Sequence, residues 1–166
     1  MPFSVSRPLA TGLLHLHSEV VVRVPIDAAF AFFADAWNLE RITPPWLHFR
    51  IRTPRPLAMR EGATLDYRIA VRGLPLPWRT RIDVWEPDVR FVDRQVLGPY
   101  RWWRHEHRFE AVDGGTRILD HVEYLPRAAW LTRRWVQRDV EAIFAYRRAA
   151  MARELATSAS PRRTRK

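Results

Sequence analysis

The chain has 166 residues, of which 47% are hydrophobic and eight are tryptophan, and it carries a formal net charge of +10. That length suits one domain with a substantial core. The absence of cysteine excludes a disulfide framework and any thiolate metal site. The positive charge raises nucleic acid or an anionic surface as partners. However, Lys166 is the only lysine and the arginines are scattered rather than blocked, so a solvated surface is favoured and nucleic acid is not expected. The first twenty residues lack a charged start followed by a sustained apolar run. No later stretch approaches the ~20 apolar residues that cross a bilayer, and a soluble, cytoplasmic protein is expected.

Residues 1–15 read as an irregular N-terminal segment. Leu16 to Val24 then alternates with β-branched residues, which predicts a strand with Leu16, Val20, Val22 and Val24 inward. Pro25 ends it. Two short helices follow, over 28–34 with Asp27 as cap and over 37–42 with Asp35 as cap. Thr43-Pro44-Pro45 stops the second, and Trp46 and Leu47 lead into a strand over 48–52.

After a Pro- and Gly-bearing loop, Leu65, Tyr67, Ile69 and Val71 alternate with polar residues. Residues 73–77 read as a connection, and Trp78, Thr80, Ile82 and Val84 mark the next strand. The stretch Phe91 to Phe109 forms a hairpin through Leu97-Gly98-Pro99 that puts Asp93, Gln95, Trp103, His105, His107 and Phe109 on one face. Asp113-Gly114-Gly115 turns the chain into a last strand, where Ile118, Asp120, Val122 and Tyr124 share a face. About seven strands joined mainly by short turns imply a curved antiparallel sheet.

Beyond Arg127 the period becomes helical. Val136, Val140, Ile143, Phe144, Met151 and Leu155 fall in one stripe, with Arg147 at its centre. The start of this long helix is open between Arg127 and Thr132. Residues 157–166 read as a disordered basic tail, leaving 16–156 as the domain.

A strand, two short helices, six antiparallel strands and a long C-terminal helix resemble the helix-grip order of the START/Bet v 1-like (SRPBCC) superfamily. The narrower resemblance is to bacterial ligand-binding SRPBCC proteins related to polyketide cyclase/dehydrase-like proteins. It is carried by residues 38–47, 91–95, 98–100, Trp103, His105, His107, Phe109 and 143–147. The resemblance implies an α+β fold in which the sheet wraps the last helix and leaves a cavity. It does not imply one activity, because the superfamily holds carriers and cyclases alike.

From these patterns the candidate ligand-binding residues are Tyr67, Trp78, Asp93, Gln95, Trp103, His105, His107, Asp120, Tyr124, Phe144 and Arg147. Buried polar groups of this kind must pair with one another, with water or with a ligand. Three readings follow: an internal network, a set that orients a guest, or a His105 or His107 general base acting with Asp93. His105 and His107 with Asp93 or Asp120 could also supply metal ligands, but two histidines two apart are weak evidence and no metal is assigned. No phosphate loop, nucleophile elbow or HExxH is present, and no cofactor is expected. Arg147 either pairs with a core carboxylate such as Asp120 or anchors an anionic guest. Trp46, Trp78, Trp103, Trp130 and Trp135 are candidates for a cavity mouth, whereas Trp85 and Trp102 fall on the outer, arginine-rich face instead. The expected function is binding of a hydrophobic or amphipathic, lipid- or polyketide-like small molecule. The alternatives are a cyclase- or dehydratase-like enzyme and an interaction or nucleic-acid-binding module using the Arg/Trp face.

Overall fold

A computed structural model describes residues 4–6 and 12–158. The basic tail expected over 157–166, apart from its first two residues, and most of the N-terminal segment lie outside the described residues. Strand β1 (Ser4–Ser6) pairs with β2 (Leu14–Val22). Helices α1 (Ile26–Ala34) and α2 (Leu39–Ile42) follow, then strands β3 (Arg50–Ile51), β4 (Thr64–Val71), β5 (Leu74–Glu86), β6 (Arg90–Leu97), β7 (Tyr100–Val112) and β8 (Gly115–Pro126). The chain closes with helix α3 (Ala129–Ser158). The strands form one antiparallel sheet in the order β1-β2-β8-β7-β6-β5-β4-β3. These are the seven expected strands plus the short β1 edge.

The pairing of β2 with β8 joins the first long strand to the last and makes the sheet a grip for α3. The helix buries Val140, Phe144, Met151 and Leu155, the stripe that the 3.6-residue period selects. One half of the core lies under α1, where Phe30 and Phe33 meet Phe91 and Phe109 edge-on or tilted. The other half is built from Leu14, Leu16, Val122 and Tyr124 against Val140 and Phe144.

Several local expectations are corrected. Strand β2 begins at Leu14, two residues before the expected start, because Leu14 continues the inward alternation and is buried. Asp27 does not cap α1: the helix starts at Ile26 with Pro25 at the cap position, and the Asp27 carboxylate accepts from the Ala28 amide. Asp35 does cap the next turn, accepting from Trp37 N at 3.0 Å. Trp46 and Leu47 belong to a 3₁₀ turn (Pro45–Leu47), and His48 takes a left-handed φ of 44°, which shortens the expected strand to two residues.

Residues 74–77 are strand rather than connection. Arg72 and Gly73, with φ of 52° and 81°, make a tight two-residue turn. Pro75 and Pro77 are tolerated because β6 reaches only as far as Arg79, so their missing N–H groups face no neighbour on that side.

A bulge between Ile82 and Val84 interrupts the β5 alternation, and an extra residue flips every side chain beyond it. Trp85 therefore turns inward onto Phe30 and Phe91, with ring centroids 5.0 and 5.5 Å away, instead of joining the outer face. Another bulge, between Tyr100 and Trp102, lets both Tyr100 and Trp103 face inward while Trp102 stays exposed.

Candidate ligand-binding site

Between α3 and the half of the sheet formed by β4 to β7 lies a cavity of about 670 Å³. Its walls are mainly aromatic: Phe33, Phe49, Tyr67, Trp78, Phe91, Tyr100, Trp103 and Phe144 all line it. These rings brace one another. Trp103 meets Trp78 edge-on at 5.4 Å, and Tyr67 stacks on Trp78 at 5.7 Å. Thr80 accepts a hydrogen bond from Trp78 Nε1 at 3.0 Å and shares another with the Tyr67 hydroxyl at 3.2 Å, fixing both rings. Thr80 was missed as a site residue, although its place in the inward alternation of β5 was legible. Burial and then the field of Asp93 push the Tyr67 hydroxyl well above its ordinary pKa, so it remains protonated.

Asp93, His105, His107 and Arg147 interrupt the apolar wall. Register produces this grouping: Asp93 on β6 faces His105 on β7, and His107 on β7 faces Asp120 on β8. His105 is held at both nitrogens, with Nδ1 3.3 Å from Asp93 Oδ2 and Nε2 3.0 Å from Asp120 Oδ1. Burial opposes its charge, but the hydrogen bonds to Asp120 and Asp93 outweigh that cost and raise its pKa. His107 Nδ1 approaches the same Asp120 oxygen at 2.8 Å, off the best hydrogen-bonding direction. Its Nε2 faces an Arg147 nitrogen at 3.4 Å. Arginine can only donate, so that nitrogen accepts and the proton of His107 sits on Nδ1. Burial above all lowers the His107 pKa to about 4, and the ring is neutral near physiological pH. Asp120 is held below the carboxylate range: its two histidine partners outweigh the burial that would raise it.

Arg147 is 9% exposed and reaches the cavity from α3. Its guanidinium lies 5.4 Å from the Phe144 ring centre. The Nε atom has no partner, and Arg147 forms no ion pair among the described residues. The alternative in which Asp120 neutralises it is not realised, because that carboxylate is committed to the histidines.

Of the remaining candidates, Gln95 does not line the cavity. Its amide donates to Tyr100 O at 2.8 Å and accepts from Tyr100 N at 3.2 Å, closing the hairpin where the β6–β7 ladder has ended. A Cβ at Gly98 would sit 2.4 Å from Gln95 Oε1, so a larger residue there would displace the amide that closes the hairpin. Asp120 and Tyr124 are fully buried behind the wall and support it instead of lining it. Trp46 lines the opening and meets Tyr146 edge-on at 5.6 Å. Trp130 and Trp135, 88% and 52% exposed, are not among the lining residues. On the outer face the arginines are largely paired, as in the two-pronged Arg79–Asp66 and Arg90–Glu86 contacts and the Arg94–Asp83 pair. That pairing weakens the case for a polyanion-binding surface.

A curved antiparallel sheet gripping a C-terminal helix, with an aromatic cavity between them, defines a helix-grip architecture. The chain has the Bet v 1-like helix-grip fold, as comparison with solved structures shows. It is similar to the Zhui aromatase/cyclase from Streptomyces sp. R1128, with a TM-score of 0.73 and 19% identity over 89% of this chain and 96% of that one. Protein Ms6760 from Mycobacterium smegmatis is also similar, with a TM-score of 0.68 and 19% identity over 95% and 99% of the two chains. Ara h 8.0201 matches with a TM-score of 0.58 and 17% identity over 84% and 98%. No family model and no curated protein sequence matches the chain. No helix among the described residues is long and apolar enough to cross a membrane.

Proposed function

We propose that the protein binds a hydrophobic or amphipathic small molecule in the cavity, its apolar body among the aromatic rings and its anionic or polar end against Arg147. The observation that carries this reading is a buried guanidinium, open to the cavity, that lacks a carboxylate partner among the described residues. Leaving a charge buried and unpaired is costly, and a guest carboxylate or enolate would satisfy donors spaced for two oxygens. Burial of the guest's apolar surface would provide the driving force, at roughly 25 cal/mol per Å² before the costs of association. Trp78 and Trp103 in the wall supply a direct reporter.

In a tryptophan-fluorescence titration, laurate and anthraquinone-2-carboxylate are expected to bind saturably. Their methyl esters should bind more weakly, by roughly tenfold, the scale of one charge-assisted hydrogen bond. Equal affinity of acid and ester would remove Arg147 from the account, and no saturable binding of either would remove the cavity ligand.

The second reading, a cyclase- or dehydratase-like enzyme, is supported by the likeness to an aromatase/cyclase and by the Asp93–His105–Asp120 chain. Both nitrogens of His105 are engaged and His107 is weakly basic. A proton would therefore be taken at Asp93, the carboxylate that faces the cavity, with His105, anchored by Asp120, holding that carboxylate in place.

A further inference from the structure

The outer face of the sheet carries a second histidine cluster that the cavity does not use. On β2, His15 and His17 alternate with the buried Leu14 and Leu16 and so occupy the opposite face. Register sets His17 against His121 and His15 against Glu123 on β8. His15 Nδ1 lies 3.2 Å from His121 Nε2, and the His17 and His121 rings stack with centroids 4.3 Å apart. One ligand atom from each of His15, His121 and Glu123 falls within 4.8 Å of the other two. His15 is 8% exposed, and its Nε2 has no hydrogen-bond partner among the described residues.

The spacing of this cluster suits a metal: bonds of about 2.0–2.1 Å at tetrahedral angles put ligand nitrogens roughly 3.3 Å apart, close to the 3.2 Å at which His15 and His121 share a hydrogen bond, so an ion would take the place of the shared proton. In the cavity cluster His105 and His107 both approach a single Asp120 oxygen, at 3.0 and 2.8 Å, which commits that atom to the two rings. Two imidazoles held together beside a carboxylate are the donor set that a borderline cation takes.

We propose that His15, His121 and Glu123 form a binding site for a zinc-like divalent transition-metal ion, with His17 brought in as a fourth ligand by a change of rotamer. An ion there ties β2 to β8, the strand pair that closes the grip around α3, from the side facing away from the cavity.

The test is a zinc titration of the tag-free full chain near neutral pH in a weakly coordinating buffer, followed by calorimetry and by NMR of the histidine rings. One ion per chain is expected, with shifts at His15, His17 and His121. At saturation the Tm should rise by about 5 °C or more. His121→Gln and Glu123→Gln should each weaken binding by roughly tenfold or more, since even an outer-shell partner is worth that much. The proposal is overturned if zinc does not bind, if both variants bind as the parent does, or if the shifts fall on His105 and His107.

Discussion

Arg147→Leu is expected to lower the affinity for laurate and anthraquinone-2-carboxylate by roughly ten- to a hundredfold, the value of about 1.5–3 kcal/mol for hydrogen bonds to a charged group. Binding of the methyl esters should be nearly unchanged, because they offer no carboxylate. The direction for stability is the unusual part. Arg147 sits 9% exposed on the core-facing side of α3, where loss of a paired charge would be destabilising. Its only described polar contact is a 3.4 Å approach to His107, so leucine removes an uncompensated charge and strands no carboxylate. The Tm should hold or rise. A fall of more than about 5 °C, roughly 2 kcal/mol for a chain of this size, with acid-over-ester selectivity intact, would make Arg147 a structural residue.

Asp120→Asn is expected to have the opposite profile, with a large loss of stability and an indirect effect on binding. The carboxylate is 2% exposed and serves both His105 and His107. Breaking a buried, charged network by removing one partner costs about 3–5 kcal/mol, or on the order of 10 °C in Tm here. The pH dependence carries the same signature. Asp120 is depressed in the folded state, so its contribution is present above the unfolded value of 3.8 and is lost as pH falls through its folded value. His107 acts in the same direction. The unfolded chain takes up its proton near 6.5 and the native chain only near 4, so stability declines as pH falls between those values. His105 has the reverse sign: its raised pKa contributes stability that is complete below 6.5 and is lost as pH rises through its folded value. Urea unfolding midpoints across this range should therefore fall steeply on the acid side in the parent protein. An Asp120→Asn variant within about 1 kcal/mol of the parent at neutral pH would contradict the network described.

Most of the architecture is legible in the sequence because it rests on periodicity. The two-residue period of β4 and β8 and the helical stripe from Val136 to Leu155 each report which side faces the core, and the structure follows them. What periodicity cannot report is a change of phase. Trp85 was assigned outward by counting from Ile82, but the bulge between Ile82 and Val84 reverses the count. Pro75 and Pro77 suggested a connection because proline usually breaks a ladder, and only the extent of β6 reveals that one side of β5 is unpaired there.

The candidate site divides along the same line. Asp93, His105 and His107 share a face by alternation and do meet at the cavity, whereas Gln95 has the same parity but is consumed by the hairpin turn. The choice of partner for Arg147 could not be read from sequence, since Asp120 was an equally good candidate until the distances to two histidines were known. The outer cluster was within reach of the pattern, because His15 and His17 alternate opposite Leu14 and Leu16. Only the β2–β8 register adds His121 and Glu123 to it.

The central claim, that the cavity beside Arg147 holds a guest, is tested most directly by gentle native mass spectrometry of freshly purified protein. The account predicts a reproducible non-protein adduct that organic solvent releases and that is depleted in Arg147→Leu. A bare protein mass, together with no saturable binding of laurate or anthraquinone-2-carboxylate, would contradict it.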